Sequence, residues 1–209
     1  MRFYVLLLAV IMAVFPMTAS ATEEPPHTVT VKDGKFEIRQ YAPTIVAEVE
    51  ITGDMRRAGN SGFRPLADFI FGNNTARTKI DMTAPVTRVK SEKIAMTAPV
   101  TRTTTEEGAW TVAFVMPDNW TMDTLPVPNN PDVAIREVPG ELMATVKFSG
   151  IGREQVFQQK QAALEAWIAE QGYEMNGPPR FAGYDAPYVP GPFRRNEVMI
   201  PVTEIAPIS

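Results

Sequence analysis

The sequence predicts an α+β domain assembled from two copies of one unit, and three observations carry that prediction. The first is a gapless internal match at an offset of 97 residues. "FEIRQYAPTIVAEVEITG" (Phe36–Gly53) lies over "VAIREVPGELMATVKFSG" (Val133–Gly150), with Ile38/Ile135, Arg39/Arg136, Ala47/Ala144, Val49/Val146 and Gly53/Gly150 identical. The second is that each copy reads as a hairpin (strand, turn, strand) and is followed by a helical pattern and then by a further pair of strands, which makes accident less plausible than ancestry. The third is a doubled phrase, "KIDMTAPVTR" and "KIAMTAPVTR", whose residues alternate between apolar and polar. Two such halves are expected to join their sheets around one core with two helices packed outside.

The elements follow in order. Residues 1–21 are expected to be a secretory signal cleaved after Ala21: Arg2 supplies the charge, Phe3 to Phe15 is unbroken apolar, and Ala19-Ser20-Ala21 offers a small-residue cleavage site. A protein outside the cytoplasm, periplasmic or secreted, is the corollary. No second long apolar segment follows, so no integral membrane span is expected after cleavage. Residues 22–30, beginning "TEEPPH", are polar and proline-interrupted and read as a flexible lead-in to one domain over 31–205. From Phe36 the alternation and β-branched residues predict two strands broken at Ala42-Pro43. In "NSGFRPLADFIFGNN" the spacing of Phe63, Leu66, Ala67 and Ile70 predicts a helix, with Gly72 at its end.

In the doubled phrase, Ile80, Met82, Ala84 and Val86 share one face, and so do Ile94, Met96, Ala98 and Val100. This predicts two strands in a hairpin, with Ile80 opposite Val100 and Met82 opposite Ala98, large against small. Pro85 and Pro99 mark edges, bulges or the end of pairing. "WTVAFVMP" is a further strand, and "DNWTMDTLPVPNNP" a long loop. After the second copy of the unit, Val156, Phe157, Leu164, Trp167 and Ile168 form the apolar stripe of a helix stopped by Gly172. A turn-rich segment and the strand "RRNEVMIPV" close the chain.

Composition excludes several functions. The formal charge is −4, which leaves no electrostatic footprint for nucleic acid or an anionic membrane. Cysteine is absent, removing disulfides, thiolate nucleophiles and zinc–sulfur sites. The single histidine, His27, lies in the lead-in, so a positioned imidazole for nucleophilic catalysis is not expected. Glu23-Glu24 and Glu106-Glu107 are sequence neighbours and do not form an acid/base pair. The chain therefore reads as a binding protein and not an enzyme. Two stretches carry more apolar surface than a core contact requires: the first helix with Phe69 and Phe71, and the segment with Tyr184, Tyr188, Pro190, Pro192 and Phe193 beside Arg194 and Arg195. Flat apolar walls next to cations suit a planar apolar ligand bearing carboxylates. Composition by itself favours a second hydrophobic cluster under a long loop.

The paired "MTAPV" phrases, "FEIRQYAPTIVAEVEI", "GFRPLADFIFGNN" and "FAGYDAPYVPGPFRRNEVMIPV" together resemble the SOUL haem-binding protein family, over about Val31 to Val202. The resemblance implies a distorted eight-stranded β-barrel, pseudo-duplicated and flanked by two helices, similar also to the effector-binding domains of some bacterial regulators. It implies binding of haem or another tetrapyrrole, without catalysis, in an apolar cleft between the first helix and the loop before the last strand. On this sequence the helix wall would be Phe63, Arg64, Leu66, Ala67, Phe69, Ile70 and Phe71. The loop wall would be Tyr184, Tyr188, Pro190, Arg194 and Arg195. Phe69 stands where the family pattern suggests a lysine, so propionate recognition would fall to Arg64, Arg194 or Arg195. Tyr184 and Tyr188 are the candidate axial ligands. The alternative is another amphiphile (a lipid, quinone or peptide) in the same cleft.

Overall fold

A computed structural model describes residues 23–77, 91–105, 108–185 and 188–205. The expected signal sequence and the first copy of the doubled phrase lie outside these residues. The strands are β1 (His27–Asp33), β2 (Phe36–Tyr41), β3 (Thr44–Ile51), β4 (Asn74–Thr75), β5 (Val100–Thr104), β6 (Trp110–Val115), β7 (Val127–Pro128), β8 (Ala134–Val138), β9 (Leu142–Ser149), β10 (Tyr173–Met175), β11 (Arg180–Gly183) and β12 (Arg195–Glu204). Helix α1 (Met55–Ile70) follows β3, and α2 (Glu154–Glu170) follows β9.

The main sheet is antiparallel, in the order β1-β2-β9-β12-β11-β5-β6-β3-β8, with β10 beside β12. That order is a palindrome about the β11–β5 ladder, apart from the extra β1. It corrects one expectation: the two strands of each repeated unit do not pair with each other. β2 pairs with β9 of the other copy, and β3 pairs with β8. The registers match at the offset of 97, Ile38 standing opposite Ala144 and Ile135 opposite Ala47. The duplication is therefore a pseudo-twofold in space, formed by exchanged arms.

The odd-even alternation of these strands separates two faces. One face, with Ile38, Ala47, Val49, Val112, Phe114, Val146, Val198 and Ile200, forms the core with the inner stripes of both helices. α1 lies over β3, β5 and β6, and α2 over β9, β10 and β12. The rings of Phe148, Phe157, Phe181 and Trp110 meet in sequence, with centroids 5.2–6.1 Å apart, and join the two halves. In α2 the expected stripe is present: Phe157, Leu164, Trp167 and Ile168 are buried. α1 starts earlier than its apolar spacing suggested, because Asp54 caps it by accepting from the Arg57 N–H at 2.7 Å. Its first turns bury only Met55, Ala58 and Gly62, a small-residue face that apolar periodicity does not reveal.

The sheet is strongly curved but not closed into a barrel. β1 and β8 are its two edges, and no ladder joins them. Even so, Tyr41 of β2 and Val138 of β8, seven strand steps apart, line a single hollow on the helix-free face. A flat sheet would hold them about 34 Å apart. Turns take the place of the missing ladder. A Cβ on Gly140 would lie 2.8 Å from the Tyr41 carbonyl oxygen, so the Pro139-Gly140 turn rests directly on the end of β2.

Two further expectations are corrected. Residues 23–30 are not a loose lead-in: Glu23 bridges to Thr97, the Ala98 N–H donates to the Glu23 carbonyl at 2.8 Å, and β1 starts at His27. Nor is the second copy of the doubled phrase a regular strand. Met96 is exposed, while Thr97 and Pro99 are buried, Thr97 donating to the Val115 carbonyl. Val100 cannot face Ile80 in a ladder, because Phe114 and Gly183 occupy both its edges. Periodicity correctly reported an inward-pointing Ile94 and Ala98, and the phrase leads into β5; the expected hairpin partner lies outside the described residues.

α1 presses on β6 at Gly62, where a Cβ would meet Val112 at 2.5 Å. Gly62→Ala is expected to destabilise the protein by about 1–3 kcal/mol through overpacking, although alanine is the better helix former by about 1 kcal/mol. Urea denaturation of the two proteins decides between these opposed signs.

Candidate functional site

The structure distributes the twelve residues of the expected cleft among three environments. Leu66, Ala67, Phe69 and Ile70 are buried in the core, where the helix stripe packs on the sheet. Phe63 is half-buried, its ring edge-on to Phe114 at 5.3 Å. Arg64 and Phe71 are exposed on α1, and Tyr188 and Pro190 on the loop. Arg194 is half-buried, with its Nε donating to the Val189 carbonyl at 2.8 Å. The two walls sit at one end of the sheet: Phe114 under α1 pairs with Val100, which pairs with Gly183, the residue before Tyr184. Phe71 of α1 and Tyr188 and Phe193 of the loop are exposed aromatic side chains.

Tyr184 and Arg195 belong elsewhere. They help enclose Glu197, a fully buried carboxylate on β12. Arg39 Nη1 donates to it at 2.8 Å, Arg195 Nε at 3.0 Å and Nη2 at 2.8 Å, and the Tyr184 hydroxyl at 2.7 Å. The Arg195 guanidinium also stacks 3.7 Å from the Tyr184 ring centroid and reaches Glu24, while Arg39 reaches Glu37 and Tyr41. The cluster thus ties β2, β12, the β11–β12 loop and the N-terminal segment. Burial works to raise the Glu197 pKa, but the hydrogen bonds and charges of Arg39 and Arg195 outweigh it and hold the carboxyl below its usual range. Tyr184 is pushed far up, first by burial and then by the Glu197 charge. The hydroxyl of this candidate axial ligand is thus engaged as a donor to Glu197, and a phenolate there would place a second anion against that carboxylate.

Opposite the helices the curled sheet encloses a hollow of about 270 Å³. Its floor is Met143 and Met199, buried beside Ala182 and flanked by Tyr41 and Tyr184. Two ion pairs stand in its wall: Arg136 with Glu48 at 2.8 Å, and Arg180 bidentate on Glu141. Sequence reasoning missed this hollow. Its polar lining residues, Thr44, Glu48, Thr101, Thr103, Thr111 and Arg136, are alternates of amphipathic strands that periodicity assigns to solvent. The alternation itself was visible; the curl that turns the polar face inward was not. Among the described residues no cluster of histidine, aspartate or glutamate has the makings of a metal site, and no helix is long and apolar enough to cross a membrane.

The described residues thus form a pseudo-duplicated α+β sheet with a hollow on its helix-free face and exposed aromatic side chains beyond one end. The sequence matches the model of the SOUL heme-binding protein family over residues 22–201, and the chain belongs to that family. It is 28% identical to Heme-binding protein 2 of Homo sapiens over 175 residues, covering 81% of each chain. Against Heme-binding protein 2 of Mus musculus it is 27% identical over 165 residues, 78% of this chain and 76% of the mouse protein. Among solved structures, the C-terminal domain of EcmrR superposes with a TM-score of 0.59 at 14% identity, over 81% of this chain and 98% of that one. A hydrolase from Listeria innocua gives a TM-score of 0.53 at 14% identity, over 83% and 94%. At such identities these structures share the fold and nothing more is taken from them.

The Glu197 cluster makes a pH prediction. A carboxyl whose pKa is lower folded than unfolded stabilises the protein above the unfolded value, near 4.3 for glutamate. That contribution is lost as pH falls through the lower, folded value. Glu197→Gln is expected to cost up to about 3 kcal/mol at pH 7, since it removes the shared carboxylate of buried Arg39 and half-buried Arg195 and leaves them only Glu37 and Glu24. It should also make stability less steeply dependent on pH below about 4.3. Denaturant titrations at pH 7 and pH 3.5 measure both.

Proposed function

We propose that this protein binds haem or a related tetrapyrrole without transforming it, for carriage, scavenging or buffering outside the cytoplasm. Family membership across residues 22–201 is the observation that carries this reading, together with relatives named for heme binding. The site consistent with it is the exposed rim. Tyr188 is 88% and Phe193 77% exposed, beside Arg194, and Phe71 and Arg64 project from α1. Exposed flat rings offer stacking to a macrocycle, and arginine is suited to its carboxylates. With Tyr184 committed to Glu197, Tyr188 is the accessible tyrosine of the two proposed for iron. Export rests on the 21-residue leader, and a mature N-terminus at Thr22 in the exported fraction is the result that supports it.

Titration with haemin is expected to give a saturable one-to-one shift of the Soret band that persists in His27→Ala. Combined Tyr188→Ala and Phe193→Ala should weaken it about tenfold. Iron-free protoporphyrin, run in parallel, measures what ligation adds. Absence of any one-to-one transition refutes tetrapyrrole binding and leaves another amphiphile, a lipid, quinone or peptide, as the ligand of the rim.

A further inference from the structure

The hollow on the helix-free face differs from the rim in size, charge and chemistry. Its volume of about 270 Å³ falls just short of the range typical of sites for drug-sized molecules, about 300–1,000 Å³. Its four charges cancel in pairs, Arg136 with Glu48 and Arg180 with Glu141, so no net charge is left for a ligand carboxylate or ammonium. A charged ligand would have to break one of these pairs to find a partner.

What the hollow does offer is hydroxyl groups over an apolar floor. Thr44 of β3, Thr101 and Thr103 of β5, and Thr111 of β6 all line it. Thr103 and Thr111 stand directly opposite each other in the β5–β6 ladder, and Thr101 is the next residue on the same face. Among the described residues none of these four hydroxyls has a hydrogen-bond partner, whereas every fully buried side-chain polar atom is satisfied. Below them lie Met143 and Met199, deformable side chains that adapt to apolar shapes. Four prolines, Pro25, Pro99, Pro139 and Pro178, stand in the wall, contributed by the N-terminal segment and both repeats.

We propose that this hollow is a second ligand site, separate from the rim, for an uncharged apolar small molecule bearing a hydrogen-bonding oxygen or nitrogen. The apolar body rests on the methionine floor and the polar atom meets the threonine hydroxyls. The ion pairs at the wall exclude ionic ligands by being already satisfied. Such a site stands independently of tetrapyrrole binding.

The probe is N-phenyl-1-naphthylamine, a neutral arylamine whose emission rises and shifts to the blue in apolar surroundings and whose N–H donates to a hydroxyl oxygen. The purified protein is expected to bind one equivalent saturably. Ala113→Phe, which projects a ring into the hollow from the β6 position opposite Thr101, is expected to weaken the probe at least about tenfold and leave the haemin titration unchanged. The shape-preserving pair Thr103→Val and Thr111→Val should weaken it about two- to tenfold; it decides the question alone if the phenylalanine variant does not fold. Unchanged probe affinity in the folded variants overturns the proposal, as does one-for-one displacement of the probe by haemin. If haemin fails to bind while the probe obeys these expectations, the tetrapyrrole reading falls and the second site stands.

Discussion

Everything in this molecule depends on the exchange of arms between its two repeats. β2 finds its partner in β9 and β3 in β8, so neither copy owns a complete sheet. A free copy would expose the edges of both strands and half of the aromatic chain that runs through Phe157 and Phe181. Exposed edges are costly, and each copy removes those of the other. The same exchange draws the far strands towards each other and bends the sheet until its two turns meet.

That curvature sorts side chains more finely than inside and outside. The helix face is an ordinary core. On the other face the same alternation delivers threonines, ion pairs and two methionines to an enclosed hollow, and arginines and tyrosines to a buried carboxylate. Glu197 is tolerable only because several donors converge on it from different elements, for an unpaired buried charge would be very costly. The cluster also pins the N-terminal segment through Glu24 and Arg195. Residues that look like a polar leader are therefore structural.

The exposed rim and the hollow illustrate two ways in which a site is written into a chain. The rim is local: Tyr188, Pro190 and Phe193 crowd one turn-rich segment, and their excess of apolar surface is visible without coordinates. Its partner wall was only partly legible. Phe63 to Phe71 reads as one apolar stretch, yet Leu66, Ala67, Phe69 and Ile70 turn inward and only Arg64 and Phe71 are exposed. Tyr184 and Arg195 share the loop's composition but are claimed by a carboxylate that sequence adjacency does not reveal. The hollow is non-local, assembled from eight strands, with no single segment announcing it.

By itself the sequence determined the α+β class, the duplication with its offset of 97, both helical stripes, the long strands β2, β3, β6, β8, β9 and β12, and the family. These follow from periodicity and composition, which act over a few residues and leave a direct imprint. Only the tertiary structure decided which strands pair, that the curved sheet stops short of a barrel, and that the second "MTAPV" phrase leads into β5. Pairing is a competition between edges far apart in the chain. Alternation fixes which face a residue occupies but not which strand lies beside it, nor which way the finished sheet will bend.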